Sequence, residues 1–300
     1  MRGWWRDLTD LVLPADCAGC GAPRTALCPR CRAMLHGSAA RRVRPVPEPA
    51  GLPVVHAVAP YAAEVRALLL AHKERGALTL TGALGTALAG AVRASLGADG
   101  GAGVRPGGGA HAGAGSAGWP GRGPVLLVPV PSARWAVRAR GHDPVRRMAL
   151  AAAGELRRTG TAARVAAVLR QRRAVADQAG LDARRRLENL AGALEVSPGG
   201  GRLLGAGPVV LVDDLMTTGA SLAEAARALR EAGRSRPEGR TAVYEAATRE
   251  GREERRIGAP PGRRESVHSA PENAVPNALR RILHAAVIAA PHDSFEMNRN

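Results

Sequence analysis

Apolar positions along the chain fall into two kinds of run. Short unbroken runs read as strands buried on both faces. These are Val54–Ala59, VLLVPVP over 125–131, VAAVLR over 165–170 and VVLV over 209–212. Longer runs with helical spacing lie between them. YAAEVRALLLAHKERG starts at Tyr61 and ends near Gly76. TLTGALGTALAGAVRASLG follows as a second helix, weakened by its glycines. A loop and a helix fill 133–160, and a polar stretch turning helical fills 171–194. Alternating strands and helices predict an α/β parallel sheet flanked by helices. A helical bundle would not explain VLLVPVP or VVLVDD.

The run at 209 stops at two carboxylates, Asp213 and Asp214. A turn of small and hydroxyl residues follows: Thr217, Thr218, Gly219, Ala220 and Ser221. The segment LAEAARALREAG then takes up helical spacing. Ser221 and Glu224 have the spacing of a capping box, which predicts a helix start at Ser221. Ligands of parallel sheets sit off the carboxyl ends of the strands. A helix N-terminus supplies unpaired N–H donors and partial positive charge, which suit a phosphate. The acid pair would repel that phosphate, so its natural partners are sugar hydroxyls or water around a divalent cation. No G-x-x-x-x-G-K-[ST] loop is present.

This strand, acid pair and loop resemble the phosphoribosyl-pyrophosphate (PRPP) motif of the type I phosphoribosyltransferases. The resemblance implies that Asp213 and Asp214 lie by the ribose 2′- and 3′-hydroxyls. It also implies that Thr217 to Ser221 hold the 5′-phosphate.

Composition changes the picture in three ways. With 45% hydrophobic but only 2% aromatic residues, the core must be built from Ala, Val and Leu. The net charge of +17 suggests a polyanionic partner. Lys73 is the one lysine among 43 basic residues, however, so part of that charge reflects an arginine-rich coding bias. No apolar stretch is long enough to span a bilayer, and the N-terminus lacks a signal-peptide pattern. The expected location is therefore cytoplasmic, without membrane insertion.

Cys17, Cys20, Cys28 and Cys31 are all the cysteines, spaced C-x2-C-x7-C-x2-C. Two such knuckles present four thiolates to one tetrahedral ion, predicting a closed structural Zn²⁺ site. Redox or unmetallated thiols are the alternatives. His36 reads as a surface histidine.

The expected organisation is a zinc ribbon over 1–36, a connector over 37–53 and the α/β domain over 54–250. A Gly-rich flexible loop occupies 97–123 within it. Ala242–Ala246 is the candidate returning strand. The tail over 251–300 is expected to be largely disordered, although Leu283–Pro291 is apolar enough for a strand or a short helix.

Taken together these segments resemble the ComF family, phosphoribosyltransferase-like proteins associated with competence and DNA uptake. The resemblance rests on the four-cysteine ribbon, the Tyr61–Lys73 helix, VPVP at 128–131 followed by Arg140-Gly141, Arg170 with Gln178, Arg186 with Asn189, and the PRPP motif. His142-Asp143 replaces the family's usual aromatic-Asn. Diphosphate contacts fall to Lys73, Arg140 and Gly141 as candidates, and 170–186 reads either as a lid or as a solvated basic loop. The implied ligands are PRPP with Mg²⁺, or another sugar phosphate. Single-stranded DNA or a DNA-uptake helicase are further candidate partners, and a homodimer remains open. The acceptor is unreadable, so a transferase, a non-catalytic PRPP or nucleotide sensor, and a DNA-processing accessory protein all stay in play.

Overall fold

The computed structural model describes residues 16–97, 123–173, 175, 183–234 and 283–295. After the cysteine segment come α1 (Pro29–His36), β1 (Arg41–Val43), β2 (Val54–Pro60) and α2 (Ala63–Glu74). A 3₁₀ turn, Leu78–Leu80, leads into α3 (Thr81–Gly97). Then follow β3 (Val125–Pro129), α4 (Arg134–Arg140), α5 (Pro144–Arg158), β4 (Ala163–Val165) and β5 (Leu169–Gln171). The remainder is α6 (Ala183–Leu190), β6 (Leu194–Val196), α7 (Gly200–Leu203), β7 (Val209–Leu215), α8 (Ala220–Arg234) and β8 (Leu283–Ala290).

Six strands form one sheet in the order β1-β2-β8-β7-β3-β4, parallel except for the antiparallel edge strand β1. Alternation along β7 divides the core. Val210 and Val212 join the cluster under α3 and α5, while Val209 and Leu211 join the cluster under α8. Helices thus cover both faces, as a parallel sheet requires. From β3 the chain moves outward to β4; from β7 it moves the other way, to β8. Strand order reverses between β3 and β7, and a crevice opens at their carboxyl ends. Among the described residues no single helix is long and apolar enough to cross a membrane.

Several expectations need correction. The 37–53 connector contributes β1, whose Val43 is buried beneath two exposed arginines. The expected strand at 165–170 is two strands in different sheets. The edge strand β4 ends at Val165, the chain turns as Val168 N–H donates to Ala166 O, and β5 then pairs with β6. The domain does not end at 250. LHAAVIAA carries no full charge, and β8 lies between β2 and β7 with seven of its eight residues buried. Both candidate conformations for that segment were compatible with its composition; only the vacancy between two parallel strands selects the extended one. The Gly-rich stretch over 98–122 and Ala242–Ala246 lie outside the described residues.

Candidate functional site

Because side chains alternate along β7, Asp213 and Asp214 leave the sheet on opposite faces. Asp214 follows Val210 and Val212 toward the face on which α2 packs. Lys73, in the last turn of α2, meets it there: Nζ donates to Oδ2 at 2.8 Å. Asp214 N–H donates in turn to Asp213 Oδ1 at 2.8 Å. Both acids are buried. Burial and the neighbouring Asp214 charge push Asp213 well above the ordinary carboxylate range, and Lys73 offsets this only in part. For Asp214 burial acts in the same upward sense, but Lys73 and hydrogen bonds outweigh it and hold the group below its ordinary value. Asp214 correspondingly raises Lys73. The two acids of the pair are therefore pushed in opposite directions, Asp214 toward the ionised form and Asp213 toward the protonated one.

The loop after β7 runs from Met216 to Gly219 and α8 begins at Ala220, one residue earlier than the capping pattern predicts. The first backbone bond of the helix is Ala223 N–H to Gly219 O, which leaves the N–H groups of its first turn without helical acceptors. Gly219 has φ +75°, and a Cβ there would lie 3.1 and 3.2 Å from the methyl carbons of Leu52 and 3.3 Å from Pro45. Only glycine suits both the backbone and the space. The capping box does not form. Glu224 is buried and its carboxylate accepts from Leu194 N–H at 2.9 Å and from Arg227 Nε at 2.7 Å. Thr217 Oγ1 accepts from Arg186 Nη1 at 3.4 Å.

Arg140 does not point freely into the crevice. Its Nε and Nη2 form a fork on Glu74, at 2.8 and 3.0 Å. Gly141, at φ +73°, ends α4. His142 then ties this corner to α2. Its Nδ1 lies 3.1 Å from Arg140 O and its Nε2 3.2 Å from His72 O, the carbonyl just before Lys73. Burial, with His142 nearby, pulls the buried His72 down to about 4. Sequence reasoning brought Lys73, Arg140, the acid pair and the loop to the same region. It missed Glu74 and His72, whose spacing carries no signal, and took Glu224 for half of a capping box; His142 showed only as a departure from a pattern. Gln178 lies outside the described residues. Beside the end of β3 a cleft of about 410 Å³ is lined by Ser132, Arg134, Arg138, Asp143 and Gln171, among others.

The second cluster also lies near α2, where a Cβ on Gly19 would be 3.3 Å from Leu68. The Sγ atoms of Cys17, Cys20, Cys28 and Cys31 are all within 4.8 Å of one another. The first knuckle is a turn closed by Gly21 N–H to Cys17 O. The second is the start of α1, capped by Cys28 with Pro29 following. Cys28 N–H donates to Cys17 Sγ at 3.3 Å and Cys31 N–H to Cys28 Sγ at 3.4 Å. A Cβ on Gly19 would come within 2.8 Å of Cys31 Sγ, so the knuckles close only around glycine. Burial raises the Cys17 thiol, but backbone N–H donors outweigh it and bring it to about 6. Burial and the three neighbouring sulfurs push Cys31 far up. A tetrahedral ion with bonds of about 2.3 Å needs sulfurs about 3.8 Å apart, and the cluster fits one. His36 is exposed at the end of α1 and stands apart from it.

Comparison with protein-family models and with curated proteins finds no match to the chain.

Proposed function

We propose that the chain is a type I phosphoribosyltransferase-like protein, of the kind found in the ComF family, that binds Mg-PRPP or a related ribose 5-phosphate ligand. One observation carries the reading. At the point where strand order reverses, a buried acid pair and a glycine-pinned loop on a helix N-terminus share one strand end. Asp214, kept ionised by Lys73, suits acceptance of hydrogen bonds from ribose hydroxyls. The loop and the first turn of α8 suit the 5′-phosphate. Arg140 lies in the corner beside Lys73, where a diphosphate could exchange for Glu74.

The reaction this supports is substitution at the anomeric carbon. A nitrogen lone pair forms the new C–N bond as the bond to the diphosphate oxygen breaks. Its electrons leave with pyrophosphate, and the nitrogen loses a proton. Mg²⁺, bound with PRPP, would neutralise the departing charge; the chain's own part is to orient the sugar and hold cations near the leaving group. Calorimetry with Mg-PRPP tests the reading. The wild type binds, and Asp213→Asn with Asp214→Asn abolishes binding; unchanged affinity in the double variant removes the site.

The four cysteines suit a closed structural Zn²⁺ ribbon, giving about one zinc per chain on metal analysis. An accessory role with single-stranded DNA or a DNA-uptake helicase has its own observation. On α4, Trp135 is 60% exposed beside exposed Arg134 and Arg138, neither with an ion-pair partner among the described residues. An exposed aromatic among basic groups suits stacking on single strands. Such binding would fall steeply with salt; its absence at low salt removes that role.

A further inference from the structure

Arg186 differs from Arg140, Arg170 and Arg184 in having no carboxylate beside it among the described residues. Arg140 has Glu74 and Arg170 has Glu195. On the same helix as Arg186, Arg184 pairs with Glu188. Arg186 has no carboxylate partner among the described residues. Among the described residues its Nη1 reaches only the Thr217 hydroxyl, and its Nε is sealed from solvent with no acceptor. A guanidinium stays charged at every accessible pH. A permanent charge with a sealed, unanswered donor calls for an anion.

The helix carrying Arg186 is anchored at its carboxyl end. Leu194, four residues after the end of α6, is held at both ends of its backbone by α8. Its N–H donates to Glu224 and its carbonyl accepts from Arg227 Nη2 at 2.9 Å. Burial resists ionisation of Glu224, but Arg227 and the backbone donor prevail and keep it charged. At the same end of the helix, Arg173 Nη2 donates to Asn189 O and Ala191 O, at 2.8 and 2.9 Å. The strand pair β5–β6 joins these anchors. The helix α8 thus performs two tasks. Its first turn offers N–H groups to the loop, and its Glu224–Arg227 clamp holds the arm that brings Arg186 to Thr217.

We propose that Arg186 is the cation of a phosphomonoester seat formed with Thr217–Ser221 and the first turn of α8. Through it the site selects ribose 5-phosphate over ribose. This rests on the sugar-phosphate reading above and assigns the charge that reading lacks, because Lys73 is already committed to Asp214.

The test is calorimetry on the full chain with three probes: ribose 5-phosphate, ribose and inorganic pyrophosphate with Mg²⁺. Arg186→Gln should weaken ribose 5-phosphate by about 10- to 100-fold, as expected for a lost charge-assisted fork. Ribose and Mg-pyrophosphate should change less than about twofold. Arg186→Lys, which keeps the charge but not the fork, should fall in between. Arg184→Gln, on the same helix, should match the wild type, with thermal melts checking that every variant folds. Unchanged ribose 5-phosphate affinity in Arg186→Gln overturns the assignment. An equal loss for pyrophosphate does so too, because Arg186 would then serve the diphosphate side. Failure of the wild type to bind either phosphate probe overturns the sugar-phosphate reading itself, and this seat with it.

Discussion

Two clusters of acidic groups lie near α2, and they solve the same electrostatic problem differently. At the end of β7 two buried carboxylates find their counter-charge inside the protein, in Lys73. In the cysteine cluster the thiols find only each other and backbone N–H groups; among the described residues no cation is paired with them. The first cluster can stand without an added ion, whereas the second needs one to carry four thiolates. The difference is one of reach. Lys73 and Asp214 are 141 residues apart and the sheet brings them together, while the cysteines lie within one short segment that a metal can gather before the sheet forms.

The sharpest break would come at Cys31. It is fully buried and packed in the same apolar cluster as Leu35, Leu68 and Leu84. If the cluster holds the proposed zinc, Cys31→Ser should abolish metal binding and cost about 4 kcal/mol, the scale of a lost metal site. Urea unfolding with metal analysis reads both. A cost near zero would mean that the cluster holds itself together, as the acid pair does.

The acid pair is sharpened by pH. Asp213 is raised in the folded state, so its contribution is complete below the unfolded carboxylate value of about 3.9 and is lost as pH rises through the folded value. His72 is lowered to about 4, so its contribution is complete above the unfolded value of about 6.5 and is lost as pH falls through 4. From the unfolded carboxylate value of about 3.9 upward, the two slopes oppose each other wherever the two ranges overlap. For the buried His72 the displacement is equivalent to about 3 kcal/mol. Unfolding free energies measured across this range in the wild type report the balance of the two. They should climb with pH in Asp213→Asn and fall with pH in His72→Gln. Parallel profiles in all three proteins would contradict the internal pairing.

The smallest effect belongs to the loop. Gly219→Ala must accept both positive φ and contact with Leu52, which should cost about 1–2 kcal/mol. Urea unfolding checks it; a neutral change would show that the loop is not pinned.

The legibility of each region follows the same division. The cysteine knuckles could be read outright, because ligand spacing is a local property. The strand, acid pair and loop were legible for the same reason, and so was the parallel sheet with its flanking helices. Lys73 stood out only as a lone lysine, since nothing near it in sequence points to Asp214. Glu224 misled: S-x-x-E fits a capping box, yet the carboxylate turns to Leu194, thirty residues back along the chain. The stretch 37–53 hid an edge strand because, of the three residues of β1, only Val43 is apolar and inward. β8 was ambiguous because an isolated apolar octapeptide suits strand or helix, and its partners decide.

The place of β8 also sets the order of assembly. β2 and β7, its neighbours, leave the ribosome long before residues 283–290 do. Until then each faces a gap one strand wide, with a row of unanswered peptide groups on an apolar edge. A nascent chain that already carries the acid pair, the loop and α8 therefore has no closed sheet to mount them on. It is exposed to pairing with other chains, and a shortened version ending after α8 would keep that exposure permanently.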